Sequence, residues 1–234
     1  MNTLHKSNEK ISEMFDGIAP KYDLLNHLLS ANLDKVWRKN AIRQIDDSEN
    51  IRILDIATGT GDLALEAAKL KSGEIVGVDI SERMLDIARK KVLERNTTCQ
   101  IIFKIASAEN LPFDAESFDY VMVAFGVRNF ENLDKGLLEI LRVLKPNGKV
   151  VILEFSKPDD SFFKSIYYFY FKHVLPFIGR LVSKSSFAYS YLPDSVNEFP
   201  YGNDFLLILQ ESGFKNTYLK KQTFGVATIY CGNK

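Results

Sequence analysis

The chain has 234 residues, of which 46% are hydrophobic and 26% charged, with Lys plus Arg at 30 matched by Asp plus Glu at 30. That composition supports a sizeable core in one α/β domain and excludes long disordered tails. The even balance, with no long block of one sign, argues against a nucleic-acid stripe or an acidic tail.

The first residues, MNTLHKSNEKISEMFDGIAPKYD, hold no apolar run followed by a small-residue cleavage site, so the expectation is a cytoplasmic protein without a secretory signal. From Ser12 to Asp46, Met14, Phe15, Ile18, Tyr22, Leu24, Leu25, Leu28 and Leu29 recur at roughly helical intervals, and Trp37, Ala41, Ile42 and Ile45 continue the pattern. Pro20 divides this stretch, which reads as a helical cap placed before the sheet.

The next stretch, Ile51 to Leu63 (IRILDIATGTGDL), is an apolar strand running into a glycine turn, with a helix expected over Leu63 to Leu70. Such a strand, glycine loop and helix open a nucleotide-binding sheet. GTGDLA fits both the dinucleotide fingerprint and the looser D-x-x-x-G-x-G of proteins that bind S-adenosylmethionine.

Strands and helices then alternate. Strands are expected at Glu74 to Asp79, Gln100 to Ala106, Phe118 to Phe125 and Gly148 to Phe155, with helices from Ser81 to about Arg95 and from Leu133 to Leu144. Ser81 is a predicted N-cap, and K-P-N-G at Lys145 to Gly148 is turn chemistry. Toward the C-terminus a helix over Asn203 to Ser212, closed by Gly213, precedes two strands flanking a turn at Phe224 and Gly225. This ending selects the class I methyltransferase fold, Rossmann-like and doubly wound, mostly parallel with a C-terminal antiparallel hairpin. A dinucleotide dehydrogenase would keep alternating, and no S…YxxxK arrangement is present where one would need it.

Cys99 and Cys231 lack CxxC spacing and read as buried thiols, and three scattered histidines, His5, His27 and His173, predict no metal. The most apolar run, Phe162 to Val182, is interrupted by Lys164, Lys172, His173, Pro176 and Arg180, which argues against a spanning helix.

The chemistry should gather at the carboxyl ends of the strands. Asp55 there either receives an ammonium group or caps the following helix, while Gly59 and Gly61 free backbone amides to face a ligand. Asp79 either holds ribose hydroxyls or is an ordinary capping residue. Ser107, Ala108, Glu109 and Asn110 either frame an adenine or form a plain loop. FGVRN, Phe125 to Asn129, puts Arg128 and Asn129 where donor and acceptor would meet; a salt-bridged surface Arg is the bland alternative. The aromatic run FFKSIYYFYFKHVLPFIG reads equally as core packing or as an apolar substrate pocket or membrane-facing surface.

With these residues in view, the chain resembles the quinone C-methyltransferase family that makes menaquinone and ubiquinone. Three stretches carry the resemblance: YDLLNHLLSANLDKVWRK (Tyr22 to Lys39), RVLKPNGKVVILEFSKP (Arg142 to Pro158) and YSYLPDSVNEFP (Tyr189 to Pro200), with DIATGTGD and FGVRN in support. It implies methyl transfer from S-adenosylmethionine to a ring carbon of a polyprenylated quinol, and it places Thr58, Asp79 and the Ser107-Ala108 step in the donor site. The chain departs from the family pattern at Asn32, Asp34, Ser107 and Asn147; Asn32 and Asn147 still tolerate a left-handed turn in place of Gly.

A ring carbon attacks only if the ring is electron-rich, so the reduced quinol is the expected acceptor. The site then needs a proton acceptor and a donor group for the developing oxyanion. Arg128 and Asn129 suit the second task, Tyr22 and Asp23 are expected to close over the ring, and Glu154 is a third acid within reach. One domain over 1–234 is expected: cap 1–50, donor-binding core 51–156, aromatic substrate insertion 157–202, and terminal helix and hairpin 203–234. Demethylmenaquinol is the preferred acceptor, with a polyprenyl methoxybenzoquinol as alternative. Peripheral contact with the inner face of the membrane and a homodimer are left open, and no nucleic-acid partner is expected.

Overall fold

A computed structural model describes residues 7–158, apart from 96 and 98, and residues 186–234. The aromatic run Phe162 to Phe177 lies outside the described residues. Three cap helices come first: α1 (Asn8–Ile18), α2 (Tyr22–Leu29) after a 3₁₀ turn at Ala19–Lys21, and α3 (Leu33–Ile42). Pro20 sits in that 3₁₀ turn, where its missing N–H costs nothing. Asn32, at φ 61°, makes the left-handed step between α2 and α3.

β1 (Arg52–Ile56), α4 (Asp62–Ala67), β2 (Glu74–Asp79), α5 (Glu82–Arg95), β3 (Gln100–Ile105), β4 (Phe118–Ala124), α6 (Leu133–Val143) and β5 (Leu144–Phe155) follow in alternation. The described chain ends in α7 (Ser186–Glu198), α8 (Asn203–Glu211), β6 (Lys215–Gln222) and β7 (Ala227–Asn233). The seven strands order as β3-β2-β1-β4-β5-β7-β6. The first five are parallel, and β7 runs antiparallel to both β5 and β6. Strand order reverses between β1 and β4, which opens a crevice outside their carboxyl ends.

Strand side chains alternate between two cores. Leu54, Ile56, Val76, Val121 and Val123 face one layer with Leu137, Ile140, Phe205 and Leu209. Ile53, Ile75, Met122, Val151 and Ile229 face the other with Trp37, Ala41, Leu63 and Ala64. The period of two along a strand produces this division. Leu137 is fully buried, so truncation to Ala would cost about 2–5 kcal/mol.

The expected elements form, with differences at their edges. Helix α4 stops at Ala67 rather than Leu70, with Leu70 N–H bonded to Ala67 O as the chain leaves the helix. The K-P-N-G turn lies inside β5: register jumps from Phe118↔Leu144 to Tyr120↔Lys149, and Asn147 takes φ 65°. Ser81 caps α5, its Oγ accepting from Met84 N at 3.1 Å. Gly213 ends α8 at φ 104°. Cys231 is buried, whereas Cys99 is partly exposed.

Candidate active site

At the end of β1, Asp55 is 1% exposed. Thr58 Oγ1 donates to its Oδ2 at 2.5 Å, while Oδ1 has no hydrogen-bond partner among the described residues. Burial pushes the Asp55 carboxyl up to about 7, with Thr58 opposing and the nearby Asp79 adding to the rise. The chain then turns through positive φ at Ala57 (53°), Gly59 (55°) and Gly61 (80°). Gly59 N–H donates to Asp79 Oδ2 at 2.8 Å, and Ser81 N–H to Oδ1 at 2.9 Å. Asp79, at the end of β2, is likewise pushed up by burial, to about 6, against those amides.

A cleft enclosing about 580 Å³ of empty space, open solvent included, lies along these strand ends. Tyr22, Gly59, Asp79 and Ala108 line one end; Phe125, Gly126, Asn129 and Phe130 line the other, and Ile11 and Phe15 of α1 cover it. Tyr22 stacks edge-on against Phe15, and burial raises its hydroxyl pKa. The cap is tied down by Ser12 Oγ to Ile80 O (3.0 Å) and Ser81 Oγ to Asp16 Oδ1 (2.5 Å).

Not every expected site residue faces this cleft. Gly61 is a packing position: an added Cβ would lie 3.0 Å from the Ala88 Cβ and 3.3 Å from the Phe103 ring. Asp55 lies behind the wall, next to the lining residues Ile56 and Ala57, and Thr58 acts on Asp55 rather than on the cleft. Ser107 pairs across a β-bridge with Asn110, and it is Ala108 and Glu109 that line the wall. Glu109 also ties the loop after β3 to the start of α6, accepting from Glu131 N at 2.8 Å. Asp23 turns to the glycine loop, accepting from Thr60 Oγ1 at 2.5 Å and Lys91 Nζ at 2.8 Å.

That clasp extends into a buried polar cluster. Asp34 takes His27 Nδ1 at 2.8 Å, Ser30 Oγ at 2.5 Å and the Arg38 guanidinium. Against the upward push of burial, Ser30 and Arg38 hold the Asp34 carboxyl below the usual range. His27, Asp34 and Asp62 bring ligand atoms within 4.8 Å of one another, an arrangement invisible from their sequence spacing. Arg38 and Lys91 already bond Asp34 and Asp62, so these carboxylates have cationic partners from the protein itself.

At the far end of the cleft, the 3₁₀ turn Val127–Asn129 carries Arg128 and Asn129. Arg128 Nη1 meets Glu154 Oε1 at 2.9 Å and also donates to Phe125 O. Glu154 is fully buried and accepts from Arg128 N (3.3 Å) and Phe155 N (2.8 Å). Arg128 therefore stands behind the wall, over the Phe155 ring, its buried Nε without a hydrogen-bond partner among the described residues. Asn129 is the member of the pair that reaches the cleft. Tyr191 Oη donates to Asn129 Oδ1 at 3.0 Å, and Asn129 Nδ2 donates to Phe125 O at 3.4 Å, so the amide is held from both sides. Burial pushes the Tyr191 hydroxyl up to about 12, with Arg128 opposing. The YSYLPDS motif was the available signal for Tyr191, but nothing in its spacing pointed to Asn129.

The two ends differ in charge. One has the Asp79 carboxylate in its wall, bonded by backbone amides, and Asp55 buried behind it with one oxygen unpartnered among the described residues, suited to a cationic ligand; the other has an amide and aromatic rings in its wall and a matched ion pair behind them, suited to a neutral one. An orphaned Asp55 oxygen, Asp79 in the wall, and a left-handed Gly59 that keeps backbone open to the cleft fit the amino and ribose groups of an S-adenosylmethionine-like donor.

Structural comparison shows the fold. The chain superposes on the [4+2]-cyclase SpnF with a TM-score of 0.73 at 16% identity, covering 97% of this chain and 96% of that one. An S-adenosylmethionine-dependent methyltransferase of Thermotoga maritima gives 0.67 at 20% identity, covering 95% and 99%. Sequence similarity reaches further. A ubiquinone/menaquinone biosynthesis C-methyltransferase UbiE of Geobacter sulfurreducens is 50% identical over all of this chain and 92% of its own. A demethylmenaquinone methyltransferase of Bacteroides fragilis is 42% identical over 98% of this chain and 94% of its own. The profile of the ubiE/COQ5 methyltransferase family matches residues 3–234, and the chain belongs to that family.

Proposed function

We propose that this enzyme transfers the methyl group of S-adenosylmethionine to a ring carbon of a polyprenylated quinol, with demethylmenaquinol as the acceptor that yields menaquinol. The observation that carries this reading is the charge contrast around one cleft, with Asp79 in the wall and Asp55 behind it toward one end, and Asn129 in the wall with the Arg128–Glu154 pair behind it toward the other. The donor supplies an electrophilic methyl on a sulfonium. Asp55 and Asp79 would hold its ammonium and ribose, and Gly59 would let the backbone close on it.

At the acceptor end, Phe125 and Phe130 exclude water from an aromatic ring, and the remaining Asn129 N–H capacity can donate to a quinol oxygen as negative charge builds there. Arg128 favours that charge through the wall. Glu154 holds it in place and balances it, so the quinol can enter uncharged. Tyr22 closes the donor end from the cap and bears on the alignment of methyl and carbon.

The test is transfer of labelled methyl to chemically reduced acceptors of both ring types. Label in the naphthoquinol at higher kcat/KM than in the benzoquinol is expected. Label in the benzoquinol alone would reassign the acceptor, and label in neither would remove the reading.

A further inference from the structure

Four of the nine large apolar residues most exposed among the described residues fall between Leu24 and Val36. On α2, Leu24 and Leu28 stand one helical turn apart, 59% and 48% exposed, while Leu25 is buried beneath them. On α3, Leu33 and Val36 repeat the pattern, while Trp37, Arg38 and Ala41 take the inner face. Singly exposed leucines need no explanation, but a group on two consecutive helices does.

Charge on the same helices is one-sided. Lys35 and Lys39 on α3 are exposed, as is Arg43 just beyond it, whereas the acids on these helices are Asp23, half-buried and paired with Lys91, and Asp34, 2% exposed and paired with Arg38; the exposed acids Asp46 and Asp47 come only after α3 has ended. Apolar side chains flanked by cations, with the acids of both helices taken up by cations of the protein, match an anionic bilayer surface, where leucines enter the headgroup boundary and lysines meet lipid phosphates. The position matters as well, because α2 begins at Tyr22, which lines the cleft. The element that closes the cleft therefore carries this apolar face on its outer side.

We propose that the outer face of α2 and α3, centred on Leu24, Leu28, Leu33 and Val36, docks the enzyme on an anionic membrane surface. This rests on the reading of the acceptor as a lipid-borne quinol. Docking would bring the cap, and with it the mouth of the cleft, to the layer in which such a quinol is dissolved.

The experiment is co-sedimentation of the full chain with phosphatidylglycerol-containing vesicles and with pure phosphatidylcholine vesicles, alongside turnover of a short-tailed, water-soluble quinol without vesicles. Wild type should bind the anionic vesicles preferentially, and less so in high salt. Leu24→Glu with Leu28→Glu should lower the partition coefficient about tenfold or more, and Lys35→Gln about fivefold, each leaving soluble-quinol turnover within about twofold. Should the double variant fold poorly, Val36→Gln alone carries the same test with a smaller loss. Equal binding by variant and wild type, binding indifferent to lipid charge, or a dimer that dissociates in the variants while vesicle binding persists would each overturn the proposal. Failure to methylate the soluble quinol in wild type would instead count against the proposed reaction.

Discussion

The two ends of the cleft solve the problem of buried charge in opposite ways. Around Asp55 and Asp79 burial, with no ion-paired cation among the described residues to offset it, pushes the carboxyl pKa values up to about 7 and about 6. Around Arg128 the protein spends a whole glutamate, Glu154, on neutralising one guanidinium. Burial is severe in both places, and the difference fits the proposed reaction: a cationic donor would complete the first end, and an uncharged ring at the second would leave nothing to neutralise.

The strongest way to break this contrast is to unpair the matched end. Arg128→Ala leaves Glu154 buried and alone, and should cost about 3–5 kcal/mol of stability, read by urea denaturation. Turnover should collapse while S-adenosylhomocysteine still binds the surviving folded enzyme; unchanged turnover would remove Arg128 from the mechanism.

The unmatched end predicts a pH dependence of opposite origin. The folded pKa of Asp55 lies above its unfolded value, so between about pH 4 and 7 the native state holds more protons, and stability from this group falls as pH rises through that window. Asp55→Asn should flatten that slope, a difference of up to about 4 kcal/mol across the window, measured by denaturation from pH 4.5 to 8. Asp79→Asn should weaken donor binding by about 10- to 100-fold, as expected for a charge-assisted hydrogen bond, with little loss of fold. The smallest effect is expected at the Asn129 amide of the matched end. Tyr191→Phe removes one bond to Asn129, which should cost about 1 kcal/mol of stability and lower kcat severalfold, with donor affinity unchanged.

Much of the fold could be read from sequence because it is written in local patterns. The strand periods, Ser81 as a cap, Gly213 as a helix stop and the turn at Phe224 and Gly225 all depend on near neighbours. The glycine loop was equally visible, since strand, glycines and helix are contiguous. What sequence could not assign is which side of a wall a side chain takes. Arg128 and Asn129 are adjacent, yet Asn129 faces the cleft and Arg128 stands behind it on a glutamate 26 positions away. Asp23 follows Tyr22, yet Lys91 and Thr60 draw it away. Gly61, two residues from Gly59, leaves no room for a Cβ beside Ala88 and Phe103. Each of these depends on a partner far away in the chain that no spacing rule names.

On the proposed reading, Asp55 and Asp79 are buried carboxylates whose charge the sulfonium donor completes. Calorimetric titration of the enzyme with S-adenosylmethionine at pH 6.5, in two buffers of different ionisation enthalpy, tests it directly. The prediction is release of roughly one proton per donor bound, with affinity rising from pH 5.5 to 7.5 as Asp55 and Asp79 ionise against the ligand. Binding without proton release, and with the same affinity at both pH values, would contradict it.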